Sequence, residues 1–301
     1  MTKCATRFLA LVIASTALFG ARAGATTSTL DWKLPPDTAI PIEFVHAIRA
    51  DKAKVGDLIE ARTMQVVYLG HGHDLPKGSY VLGHVVKAQP VRPGVSASVL
   101  EFRLDDIVTR QGVIASRLYV RALAGSMETS EASYPITPTY MDLSNERVLI
   151  GGDQILNSSQ NVYSSVSEDE GMDVVGKDFR NGVFERLRSA ETISGHALLR
   201  CNGTATVQSV GIYAGSACGL YGFDMTSLTH TGRNNRGTVE LDSKYFTVKL
   251  YAGSTALLQA APNAGASSPT AEPLNCEGKA NLSTSRRSSF SPAVARNEDW
   301  L

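Results

Sequence analysis

From Ile40 to about Ala124 the hydrophobic residues recur at every second position, in short runs broken by Gly, Pro and polar pairs. A period of two is the signature of half-buried β-strands. In Ile40-Pro41-Ile42-Glu43-Phe44-Val45-His46, the side chains of Ile40, Ile42 and Phe44 share one face. Pro41 has no amide proton for a ladder, which predicts an edge strand or a strand start. A second run spans Leu58 to Leu69, and its apolar phase slips near Thr63. Ile59 and Ala61 lie on one face, Met64, Val66 and Tyr68 on the other. One extra residue swaps the faces of a strand, so a bulge is expected there. Further strands are predicted from Tyr80 to Lys87, around Leu100, Phe102 and Leu104, and from Val113 to Ala122. About five strands with short connections predict a mainly β fold, either an antiparallel β-sandwich or a small barrel.

The alternation fades after Gly125. Ser, Thr, Asn, Gly and acidic residues dominate, so residues 125–243 are expected to form a long, loop-rich, irregular insertion. Within it, Val183 to Leu187 suggests one or two helical turns, and Thr204–Tyr213 and Thr238–Leu241 suggest short strands. Alternation returns strongly at Tyr245 to Tyr251, where Phe246, Val248 and Leu250 share a face. From Ala260 onward the composition collapses into Ala, Ser, Pro, Asn and Arg, which predicts a disordered tail over 260–301. One β-rich domain over 26–259 is the expected organisation.

The first 25 residues read as an export signal. Lys3 and Arg7 precede an apolar run from Phe8 to Ala21, followed by the small-residue triplets Ala21-Arg22-Ala23 and Ala23-Gly24-Ala25. That run is shorter than the roughly 20 residues of a membrane-spanning helix, and no later stretch approaches that length. The chain carries 29 basic and 29 acidic residues, which argues against a polybasic nucleic-acid binder. Export also gives the cysteines a context. Cys201 and Cys218 are expected to be bridged in an oxidising compartment, with two free buried thiols as the rival reading. Cys276 lies in the polar tail.

A turn followed by an apolar strand occurs three times: Asp37-Thr38-Ala39-Ile40, Lys77-Gly78-Ser79-Tyr80-Val81-Leu82-Gly83 and Ala252-Gly253-Ser254-Thr255-Ala256. Gly supplies the positive-φ turn position, and the hydroxyl is expected to cap a turn amide. With Lys54-Val55-Gly56-Asp57 between the first two, this order resembles the periplasmic β-barrel domain of type IV secretion and conjugation scaffold proteins. Pro76-Lys77-Gly78-Ser79 with Gly83 matches that family's central element, and Gly253-Ser254 its last. The likeness covers residues 37–124 and 244–259. It implies a barrel fold and an envelope-assembly role, although the family's inner-membrane helix and outer-membrane helical pair have no counterpart here.

Candidate chemistry is sparse. His71 and His73 could flank a metal if extended, but Gly72 and Pro76 place them at a hairpin tip. His46 and His84 continue apolar faces and read as partly buried structural histidines. Ser194-Gly195-His196 holds a nucleophile and a base only locally, and Gly215-Ser216-Ala217-Cys218-Gly219 lacks the nucleophile-elbow pattern. Asp105 and Asp106 point to opposite faces of a strand. Glu168-Asp169-Glu170 does not follow the calcium-loop spacing. No catalytic, metal or cofactor residue is assigned. The expected role is a non-enzymatic exported structural or interaction module of the bacterial cell envelope, with envelope proteins or surface glycans as partners. The alternatives are a secreted carbohydrate-binding module using Tyr119, Tyr245 and Tyr251 as a platform, and a hydrolase with an unrecognised site.

Overall fold

The computed structural model describes residues 34–261, apart from 71, 135–145, 153, 158–159, 165–172, 179–181, 195–196 and 232–236. The expected export signal, Glu168-Asp169-Glu170, Cys276 and nearly all of the expected tail lie outside the described residues. The first strands are β1 (Ala39–Phe44), β2 (Ile48–Arg49), β3 (Leu58–Thr63), β4 (Val67–Tyr68), β5 (Asp74–Leu75), β6 (Tyr80–Gln89), β7 (Ser98–Val108), β8 (Val113–Ala115) and β9 (Leu118–Ala124). A short helix α1 (Ser126–Ser133) follows. Then come β10 (Arg147–Val148), β11 (Gln154–Leu156), β12 (Asn161–Ser164), β13 (Val174–Asp178), β14 (Val183–Arg186), β15 (Ala190–Ser194), β16 (Ala197–Cys201) and β17 (Val207–Gly211). The chain closes with β18 (Gly219–Tyr221), β19 (Thr226–Thr231), β20 (Thr238–Ser243), β21 (Lys249–Leu250) and β22 (Thr255–Ala260). The fold is therefore mainly β, and it is barrel-like.

The main sheet runs β18-β9-β22-β1-β3-β6-β7-β20-β19, with β8 appended to β7. Every pairing is antiparallel except β18 on β9. Ile40, Ile42, Phe44, Leu100, Phe102 and Leu104 alternate inward, as their period predicts, and fill the interior. The sheet nearly closes where β18 approaches β19. The β15–β16 hairpin lies against both of these strands and covers the seam. The Cys201–Cys218 disulfide, with Cα atoms 6.0 Å apart, ties the end of that hairpin to the start of β18.

The stretch expected to be irregular is the main departure. Residues 147–211 contribute a six-stranded antiparallel sheet, β10-β11-β12-β13-β14-β17. A parallel bridge between Ile150 and Tyr213 links its two ends into a half-barrel. These strands have two to five residues each, too few to display a period. None supplies more than two inward side chains, such as Leu156, Val162, Val183 and Val210. That inner face packs on the outside of β1, β22 and β9, where Ala39, Ala122, Ala124 and Leu257 complete a second core. The shared wall is consequently buried on both faces, and all six residues of β22 are buried.

Local expectations are corrected for related reasons. Pro41 is not on an edge, because β1 lies between β22 and β3. Its carbonyl accepts from Met64 N (2.9 Å), one residue past β3, so the missing N–H faces a ladder that is already ending. The phase slip near Thr63 is a strand break and not a bulge. Burial keeps its period through Thr63, Gln65, Val67 and Leu69 because hydrogen bonds, and not apolar surface, satisfy Thr63 and Gln65. Val183–Arg186 is a strand, paired on both sides. The Tyr245–Tyr251 alternation yields only the two-residue β21, and Ala260 belongs to β22.

The repeated turn is borne out in its backbone. Asp37, Gly78 and Gly253 have φ of 63°, 81° and 79°, and the following amide returns to the carbonyl three residues earlier. The hydroxyls do something other than expected: Thr38 and Ser79 donate to that same carbonyl, of Pro35 and Pro76. Gly83 answers a separate need, since a Cβ there would sit 1.9 Å from Arg103 O at an irregularity between β6 and β7.

Candidate functional site

Two short ladders stopper the barrel. At the end where β3, β7 and β22 begin, β2 pairs with β21, Ile48 opposite Leu250 and Arg49 opposite Lys249. Alternation sends Ile48, Ala50, Val248 and Leu250 into the core and leaves Tyr251 outside. At the other end, the β4–β5 ladder inserts Val67 and Leu75 in the same way. Aliphatic and aromatic side chains thus occupy the interior from end to end.

The β2–β21 end is made of three linked segments. Ala50 N donates to Val248 O (3.0 Å), Val248 N donates to Ser98 Oγ (3.0 Å), and Ser98 Oγ donates to Gln89 O (2.9 Å). On this framework several large apolar side chains face solvent: Val55 is 74% exposed, Phe246 62%, Tyr245 60% and Tyr251 53%. Arg49 Nε and Nη2 hold the Asp51 carboxylate at 3.0 and 2.7 Å. That hydrogen bond keeps Asp51 below the usual carboxylate range and raises Arg49. A shallow cleft of about 190 Å³ lies alongside, lined by His46, Arg49, Lys52, Asp57 and Glu60 over Ile48 and Val85.

His46 is therefore exposed at this cleft and not partly buried as expected. His84 is half-buried, and its Nδ1 lies 3.0 Å from Asp105, whose other oxygen pairs with Arg103 at 2.5 Å. Tyr245 and Tyr251 share the β2–β21 end, whereas Tyr119, opposite Gln259 near the far end of β22, is not with them. Tyr119 instead packs edge-on against His230, with ring centroids 5.9 Å apart. His71 and His196 lie outside the described residues. Among the described residues no three His, Cys, Asp or Glu side chains gather as a metal site. No helix there is long and apolar enough to cross a membrane.

Two buried polar centres escaped sequence reasoning. Arg121 is 1% exposed and donates to the carbonyls of Ala217 (3.0 Å), Asn202 (2.5 Å), Arg188 (2.5 Å) and Gly215 (3.2 Å). Burial lowers it to about 10, so it remains charged at neutral pH. Glu185, also 1% exposed, takes Gly215 N at 3.2 Å and the Gln154 amide. The Gly215–Cys218 segment thus supplies two of the carbonyls that hold this guanidinium. The broken alternation Val120-Arg121-Ala122-Leu123-Ala124 was the one available signal, because a wall strand with two cores has no solvent face.

No family model, curated protein or solved structure matches the chain.

Proposed function

We propose that this protein is an exported, non-enzymatic interaction module of the bacterial cell envelope, with the β2–β21 end of its barrel as the binding face. One observation carries the reading: Val55, Tyr245, Phe246 and Tyr251 stand in solvent, Val55 and Tyr251 on turns closed by backbone hydrogen bonds and Tyr245 and Phe246 on a bend held by Ser243 Oγ, at an end whose core is already full. Exposed apolar clusters rimmed by polar groups mark interaction surfaces. The Cys201–Cys218 disulfide supports an oxidising compartment. The filled interior favours a role for the outer surface over chemistry within the barrel. The two segments that carry the secretion-scaffold resemblance, 37–124 and 244–259, are neighbours in the sheet, since β22 lies between β1 and β9.

The test is site-specific photo-crosslinking in the native envelope, with a photoreactive phenylalanine at Tyr245 or, at the opposite end, at Tyr80. Adducts to envelope components from position 245 and none from position 80 are expected. Adducts from neither position, or equally from both, would remove the reading.

A second reading has one observation behind it. Tyr251 stands beside the bidentate Arg49–Asp51 pair, and an aromatic face next to planar donors and acceptors suits a saccharide. Glycan binding that is lost in Tyr251→Ala, with the fold intact, would favour it.

A further inference from the structure

We infer that the β2–β21 end is the contact face of a symmetric dimer, its partner a second copy of this chain; this deepens the reading above and rests on it. The topology divides the end into two arcs. Around the sheet, β19, β18 and β9 lie on one side and β1, β3, β6 and β7 on the other, and residues 244–254 cross between them from β20 to β22. Thr226 lies opposite Ser243 and Ala124 opposite Thr255, so residues 222–225 and 125–133 flank the two ends of that crossing segment. The second arc carries residues 45–57 and 90–97.

The arcs differ in charge. Residues 125–133 and 222–225 hold Glu128, Glu131 and Asp224 and no basic residue. Residues 45–57 and 90–97 hold Arg49, Lys52, Lys54 and Arg92. Their two acids are engaged within the protein: Asp51 is held by Arg49, and Asp57 accepts from Lys54 N at 2.8 Å. The crossing segment adds Lys244 and Lys249. Six basic residues against five acidic ones leave the end almost neutral, so no surface of a single sign is selected. The charges are separated instead, and Lys52, Lys54, Arg92, Glu131 and Asp224 are exposed with no ion pair among the described residues. A partner of one sign would meet like charge on one arc. A second copy, turned about a two-fold axis along the crossing segment, sets each acidic arc on the other copy's basic arc.

The apolar side chains follow the same plan. Of the thirteen exposed large apolar side chains among the described residues, seven stand at this end. Met127 and Met225 lie on the acidic arc, Val55 and Leu58 on the basic arc, and Tyr245, Phe246 and Tyr251 on the crossing segment. The same rotation lays the methionines towards Val55 and Leu58 of the other copy, and the aromatic residues near the axis against their own counterparts. Dimerisation thus takes an apolar centre out of water and leaves a polar rim with its charges matched.

Both arcs are held in shape. Gly125 N donates to Tyr221 O (2.9 Å), and the Glu128 carboxylate occupies the place of a Cβ on Gly222, which ties α1 to the β18–β19 turn. Val55 sits in a turn closed by Asp57 N to Lys54 O at 3.0 Å, and Tyr251 opens one closed by Ser254 N at 3.1 Å. Association therefore orders little backbone, which limits its entropic cost.

The test is sedimentation equilibrium of the mature, disulfide-intact protein. A monomer–dimer equilibrium is expected, shifted towards monomer by salt. Lys52→Glu with Lys54→Glu, and separately Glu131→Lys with Asp224→Lys, should each weaken the dimer at least about tenfold by setting like charges face to face. An equimolar mixture of the two variants should restore dimer, because every arc then meets its opposite. Phe246→Ser with Tyr251→Ser should weaken it about 30-fold, and Tyr80→Ser at the opposite end should leave it unchanged. Monomer at every concentration, a dimer indifferent to the end-face substitutions, or charge-reversed variants that do not recombine would each overturn the inference. If the protein is monomeric while position 245 still crosslinks to a different envelope protein, the second copy falls and the interaction face stands. If position 245 gives no adduct either, both fall.

Discussion

Arg121 illustrates how a single residue joins the two layers. Its guanidinium leaves the barrel wall at β9 and satisfies carbonyls from the β14–β15 connection, the end of the β15–β16 hairpin and the segment before β18. Unsatisfied buried acceptors cost about 1–3 kcal/mol each, although some would find water. Arg121→Met should therefore cost about 3 kcal/mol, a fall in melting temperature of roughly 6–12 °C; a fall under about 2 °C would contradict the role. His230 works at the seam, with Nε2 2.9 Å from Val120 O on the facing strand. Burial holds it below its ordinary range, with the Val120 bond opposing. The unfolded chain consequently takes up a proton first as pH falls, so this contribution to stability is complete above about pH 6.5 and declines below it. The denaturation midpoint should drop between about pH 7.5 and about pH 5, and by less in His230→Gln. An equal drop in both proteins would exclude His230 as the source.

At the level of elements, the seam is the place to probe. The β15–β16 hairpin is held over β18 and β19 by contacts and by the disulfide, which spans 17 positions of sequence. Closing a loop of that size is worth about 3 kcal/mol on the chain-entropy account. Cys201→Ser with Cys218→Ser should accelerate amide exchange in β16, β18 and β19 while leaving β3, β6 and β7 protected, as expected for a local opening. Uniform acceleration over all strands would show that the hairpin is not a separable element. The long strands were legible because six to eleven residues display a period. Of the two- to five-residue strands of the second sheet only β17 was, within Thr204–Tyr213, and the strand expected over Tyr245–Tyr251 is cut to β21, because Tyr245 and Phe246 alternate like a strand yet stand in solvent.

For the molecule as a whole, the barrel and the half-barrel share one wall. Because β1, β9 and β22 contribute side chains to both cores, neither sheet can lose its partner without exposing apolar surface. Calorimetry should therefore give one cooperative transition, and two resolved transitions would show that the layers fold independently. The sequence by itself determined the β class, the barrel strands before Gly125 and the glycine turns, and it pointed to the cysteine pair, because these depend on side-chain period, turn chemistry and spacing within single segments; the barrel strands β18 and β19 lay in the stretch expected to be irregular. Nothing local told an exposed Phe246 from a buried Phe44. Tertiary structure decided which strands form the double-buried wall, why Pro41 is tolerated in mid-sheet, and where Arg121 finds its partners. It also brought residues 45–57, 90–97, 125–133, 222–225 and 244–254 to one end. Those outcomes depend on contacts between segments far apart in the chain, and no pattern within a single segment encodes its distant partner.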